Sequence, residues 1–143
     1  MTRRRHTVGL ATLGLALIGL LGGCVYYPTV ADVRSVRLQP EHGRVVRNGA
    51  AALFFVDITN TGTADDALVR IEAPIAKRAQ IVGQGGEALE RLPVPGTSLV
   101  RLHSGGERVG LSDLTRELTV GEVVIVTLFF EKSGAIGVVS SVE

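Results

Sequence analysis

Glu122-Val123-Val124-Ile125-Val126-Thr127-Leu128-Phe129-Phe130-Glu131 is the stretch that decides the fold. Between its two glutamates every residue is β-branched, aromatic or leucine. Such side chains pack well on a pleated surface, and the β-branched ones are stiff in a helix. Alternate positions fall into two sets: Val123, Ile125, Thr127 and Phe129 on one face, Val124, Val126, Leu128 and Phe130 on the other. Both sets are apolar, which predicts a central strand covered on each side. Lys132-Ser133-Gly134 then predicts a hairpin turn into a second strand over Ala135 to Val142.

Working outward, the same signals recur in shorter runs. Ala50 to Thr59 is rich in aromatic and β-branched residues, and Asn60-Thr61-Gly62-Thr63 behind it is a turn cluster. Ala67 to Ala73 stops at Pro74. Further candidates are Val33 to Leu38, Arg78 to Val82, Ala88 to Leu92, Ser98 to His103 and Arg108 to Leu111. Only Ser112 to Leu118 reads as a helical turn. Eight or nine short strands separated by Gly and Pro predict an all-β fold, an antiparallel Greek-key sandwich or barrel over residues 33–143. Each adjacent phenylalanine pair, Phe54-Phe55 and Phe129-Phe130, is expected to put one ring in the core and the other in an outer-face or second-sheet contact.

The chain opens differently. Arg3-Arg4-Arg5-His6 precede 17 uncharged residues, Thr7 to Gly23, five of them glycine, and Cys24 follows as the only cysteine. The order of basic, apolar and small-residue regions resembles a bacterial lipoprotein signal peptide. Leu21-Gly22-Gly23-Cys24 matches the lipobox, with an aliphatic residue three before the cysteine and small ones between. The resemblance implies cleavage after residue 23 and acylation of the Cys24 sulfur, with residues 24–32 as a lipidated tether. Two plainer readings are an uncleaved signal anchor, for which 17 residues are at the lower limit, and an ordinary buried thiol. Tyr26 and Tyr27 in the tether suit either the headgroup level or the domain edge.

Composition bounds the rest. The 120 residues after position 23 suffice for one compact domain. Without Arg3 to Arg5 the chain has 12 Lys+Arg against 14 Asp+Glu, so no basic surface points to nucleic acid. No second long apolar run is present. Met1 is the only methionine and there is no tryptophan.

The domain resembles the periplasmic PCu(A)C copper chaperones. The resemblance rests on Phe55-Val56-Asp57-Ile58-Thr59-Asn60-Thr61-Gly62, Asp65-Asp66-Ala67-Leu68-Val69 and Ala73-Pro74-Ile75-Ala76. Leu114-Thr115-Arg116-Glu117-Leu118-Thr119-Val120-Gly121-Glu122 and Phe130-Glu131-Lys132-Ser133-Gly134 complete it. It implies a cupredoxin-like β-sandwich over about Val33 to Val142. That family holds Cu(I) with histidine and methionine, soft thioether sulfur suiting the soft ion. Here the first histidine position falls near Val82 and its methionine near Leu89 to Leu92. The later His-x-Met becomes Arg108-Val109-Gly110, and a strand methionine becomes Val56. A chain without methionine after Met1 cannot build a thioether site, so the resemblance does not carry copper with it.

The remaining motifs are weaker. His42, in Glu41-His42-Gly43, and His103, in Leu102-His103-Ser104, lie off the family ligand positions, and loop histidines beside glycine are usually solvated. Together, with Glu41 or Glu107, they would suit Cu(II) or Zn(II) better than Cu(I). Gly83-Gln84-Gly85-Gly86 lacks the Lys-Ser/Thr ending of a phosphate loop and reads as a hairpin. Asp65-Asp66 reads as a solvated pair or a weak calcium turn. Ser98 to Ser104 with His103 lacks an acidic orienter and a nucleophile elbow. The expectation is therefore a lipid-anchored, extracytoplasmic, non-enzymatic binding or assembly module without cofactor. Its partners would be the membrane through Cys24 and a protein or envelope component. A metal carrier using His42 and His103 is the alternative.

Overall fold

The computed structural model describes residues 31–33 and 35–143; the signal segment, Cys24 and most of the tether lie outside them. Eleven strands follow in order: β1 (Ala31–Val33), β2 (Val36–Asn48), β3 (Ala51–Asn60), β4 (Asp66–Glu72), β5 (Ala76–Val82), β6 (Ala88–Leu89), β7 (Leu92–Val94), β8 (Ser98–Leu102), β9 (Arg108–Leu114), β10 (Val123–Phe130) and β11 (Gly134–Val142). They form one sheet in the order β6-β5-β9-β3-β2-β11-β10-β4-β7, with β1 on β2 and β8 on β3. All pairs are antiparallel except β11 with β2. Neighbours such as β3 with β8 and β10 with β4 are far apart in sequence, as in a Greek key.

The sheet curls into a nearly closed barrel. Where a single strand was expected over Ala88 to Leu92, the chain breaks and changes partner. Leu89 pairs with Ile81 of β5, whereas Leu92 pairs with Leu68 of β4. The segment thus passes from one open edge of the sheet to the other. Edges bridged in this way expose fewer unpaired backbone groups. Inside, Val36, Leu38, Val45, Phe54, Ile58, Leu68, Val109, Val126, Leu128 and Ile136 have no exposed surface. No helix occurs among the described residues.

Three expectations need correction. Val33 to Leu38 is not one strand: the chain turns at Ser35, whose φ of 66° breaks it into β1 and β2. Ser112 to Leu118 is not helical. β9 runs on to Leu114, Asp113 takes a φ of 52°, and a loop follows. Glu122 holds that loop by accepting from Thr119 N at 2.7 Å and from Arg116 at 2.9 Å. These bonds, the arginine first, keep the Glu122 carboxyl below its ordinary pKa. A depressed carboxyl stabilises the fold at neutral pH, and the contribution fades as pH falls through its folded pKa.

The third correction concerns β10. Val124, Val126, Leu128 and Phe130 are buried as expected, but Val123 and Ile125 on the other face are more than half exposed. Among the described residues, none buries Val123 or Ile125. The phenylalanine expectation does hold. Phe54 and Phe130 fill the core, while Phe55 and Phe129 face outward under Arg44 and Arg70, whose guanidinium carbons lie 5.3 and 3.8 Å from the ring centres.

The Asn60 to Gly62 turn is held from within. Asn60 is buried; its Oδ1 accepts from Arg37 N and Gly62 N, and its Nδ2 donates to Ala64 O and Val94 O. One side chain thus ties β2, the turn and β7.

Candidate functional site

Two regions were candidates, and the strand register decides what each contains. The first is the set of positions where copper ligands would stand. Val82 pairs across β5–β9 with Arg108, and across β5–β6 with Ala88. Gly110, two residues along β9, lies opposite Gln80, and a Cβ built on it would be 3.7 Å from Val82 Cγ2. Positions separated by more than 20 residues in sequence therefore converge. What they present is aliphatic carbon, a guanidinium and a bare backbone. Arg108 Nη1 donates to Gly106 O at 3.1 Å and offers no lone pair to a metal. Val56 is buried opposite Leu102.

The second region joins the two histidines, 61 residues apart. A β-bulge between Glu41 and Arg44 swings His42, at a φ of 57°, out of the β2 ladder. His103 stands just past the end of β8. Both line a cleft of about 400 Å³ whose other walls include Arg44, Phe55, Asp57 and Arg101. His42 Nδ1 lies 3.3 Å from Asp57 Oδ2, and Arg101 Nε is 3.8 Å from Asp57 Oδ1. His103 Nδ1 accepts from Gly105 N at 3.2 Å, which makes Nε2 the N–H side of the neutral ring. Among the described residues no group of three His, Cys, Asp or Glu is arranged to hold a metal.

Other sequence motifs resolve structurally. Gly83 to Gly86 closes the β5–β6 hairpin through Gly83 N to Glu87 O at 2.7 Å. The Ser98 hydroxyl donates to Pro95 O. It is not paired with His103. The reading of Asp65-Asp66 as a solvated pair is wrong for Asp66, which is buried. Its Oδ1 accepts from Ala67 N and Lys132 N at 2.8 and 2.9 Å, and its Oδ2 from Ser133 N and Ser133 Oγ at 3.0 and 2.6 Å. The acid is a brace for the β10–β11 turn.

Against known proteins, the sequence model of the LpqE-like lipoprotein family matches residues 29–142. The chain belongs to the LpqE-like family. No curated protein matches it. Solved structures similar to this LpqE-like chain are PCuAC domains. The apo PCuAC domain from PmoF1 is 27% identical with a TM-score of 0.67, covering 80% of this chain and 98% of its own. The copper-bound PCuAC domain from PmoF2 is 22% identical at 0.68, covering 80% and 97%. The Cu(I) form of DR1885 from Deinococcus radiodurans is 23% identical at 0.64, covering 71% and 75%. The LpqE-like chain therefore has the cupredoxin-like PCuAC fold, as its sequence pieces implied.

Proposed function

We propose that this protein is a lipid-anchored extracytoplasmic binding module, built on the copper-chaperone scaffold but without its Cu(I) site and without catalytic activity. One observation carries this reading. The positions that would hold the metal still converge at Val82, Arg108 and Gly110, yet none supplies imidazole or thioether. Arg108 adds a fixed positive charge where a cation would sit, and arginine does not deprotonate in proteins. The scaffold is thereby left to recognition, through a sheet edge or through the Gly83 to Gly86 and Ser104 to Arg108 loops. The partner class that fits is a protein or envelope component.

Copper partitioning tests the metal half of this reading. Equilibrated with Cu(I) and a competing chelator, the protein is expected to leave the metal on the chelator. The anchor half is tested by labelling with a lipid precursor in cells. Cys24→Ser is expected to abolish the label and release the protein from membranes while the barrel still folds. Label retained on the serine variant would refute it.

A second reading has an observation of its own. His42, His103 and Asp57 line one cleft and are donors that suit Cu(II) or Zn(II), although they are not gathered into a three-ligand cluster. The Asp57 carboxylate is already engaged by His42 and Arg101, which makes this the lesser reading.

A further inference from the structure

The outward face of β10 and β11 has no charged residue along its length. β10 contributes Val123, Ile125, Thr127 and Phe129, and β11 contributes Ala135, Gly137, Val139 and Ser141. The register sets them in facing pairs, Val123 with Ser141, Ile125 with Val139, Thr127 with Gly137 and Phe129 with Ala135. Val123, Ile125 and Val139 are 62, 53 and 64% exposed. An antiparallel ribbon with one wet face normally alternates apolar-in with polar-out. Here the wet face is uncharged and largely apolar. Charge stands only at its borders, and in pairs: Arg70 opposite Phe129 with its partner Glu72 opposite Thr127, and Arg44 opposite Ser141 with its partner Glu143.

Size and chain geometry choose the occupant. Two strands of about eight residues span roughly 10 by 27 Å, on the order of 270 Å². Stable protein pairs bury about 800 Å² on each partner, so this face alone is too small to hold a second copy in solution. It is large enough for a surface the protein is already tethered to, because tethering raises the effective concentration. Ala31, where β1 begins, is seven residues beyond Cys24, a reach of at most about 25 Å. β3 occupies one edge of β2, so β1 and β11 share the other, β1 along Val36 to Leu38 and β11 along Gly43 to Val45. The tether therefore enters the barrel beside β11.

We propose that acylation of Cys24 brings the outer β10–β11 face down onto the bilayer. Val123, Ile125 and Val139 then sit at the acyl–headgroup boundary, with the Arg44–Glu143 and Arg70–Glu72 pairs at the polar rim. This rests on the lipid-anchor reading of Cys24. The chain has no tryptophan, so one introduced indole is a clean probe.

The test compares the full lipidated protein carrying Ile125→Trp with one carrying Leu99→Trp, whose position on β8 is exposed but lies across the sheet. Val139→Trp is a second probe should Ile125→Trp misfold. Each is bound to 3:1 phosphatidylcholine–phosphatidylglycerol vesicles with and without brominated acyl chains. The indole at 125 or 139 is expected to shift to the blue and lose most of its emission to brominated lipid, while that at 99 stays unquenched. Protein that floats with vesicles but is equally unquenched at all three positions would overturn the docking and leave the anchor standing. Protein that does not float would overturn both. A blue shift that grows with protein concentration in the absence of lipid would identify a second copy as the occupant and overturn the proposal.

Discussion

Asp66→Ala is expected to lower the stability of the barrel by about 3 kcal/mol, since it leaves a buried hydrogen-bonded site unfilled. The carboxylate accepts four hydrogen bonds, and three of the donors belong to residues 132 and 133, two-thirds of a hundred residues away in sequence. Nothing else in the first turn of β4 reaches that hairpin with a carboxylate. Removing it strands the amides of Ala67, Lys132 and Ser133. For a domain whose net stability is on the order of 5–15 kcal/mol, that is a large fraction. The thermal midpoint, followed by circular dichroism, is expected to fall by about 15 °C. Asp66→Asn keeps one accepting oxygen and should fall between wild type and alanine. A midpoint within a few degrees of wild type for alanine would show that the turn is held by other contacts.

Gly62→Ala is expected to be comparably harmful for a different reason. A methyl group there would overlap the Ser35 carbonyl oxygen and lie 2.6 Å from Arg37 N. Both are backbone atoms, so no side chain can swing aside. The same turn is bonded on all sides: Thr61 N to Arg37 O, Ala64 N to Ser35 O and Thr97 N to Gly62 O. The start of β2 must move as a unit, at a cost of about 3 kcal/mol, the upper end of overpacking. Gly134→Ala is the informative contrast. Gly134 has a φ of 74° with open space around its Cα, so only backbone strain of about 1 kcal/mol is expected. Urea midpoints of the two variants measure the difference. Equal midpoints would contradict the close approach at Gly62.

Much of the barrel was legible because it is written locally. The run from Val123 to Phe130 could not be anything but a strand, and Lys132-Ser133-Gly134 could hardly follow it as anything but a turn. The same run misled about its surroundings. Alternation says which residues share a face, but not whether another element covers that face, and no sequence signal marks the bare side of β10. Ser112 to Leu118 read as helical from local preference, whereas β9 continues because Ser112 and Leu114 pair with Arg78 and Ala76.

The polar interior was the least legible part. Asp66 looks like any turn aspartate, since its partners are fixed only by the closure of β10 onto β4. His42 and His103 meet for an equally non-local reason, a bulge in one strand and the end of another. The positions that align with the family's copper ligands were readable by resemblance, but their convergence follows from the register of β5, β6 and β9 alone.

Central to the proposed function is a scaffold that persists without a Cu(I) site. The most direct test is Cu(I) affinity, by chelator competition, measured in parallel on the native chain and on a chain carrying Val82→His, Ala88→Met, Arg108→His and Gly110→Met. The four positions converge and Gly110 has room for a side chain. The native chain is expected to compete negligibly, and the restored chain to draw Cu(I) from the chelator. Tight Cu(I) binding by the native chain, lost on His42→Ala or His103→Ala, would contradict the claim and establish the histidine cleft as the metal site.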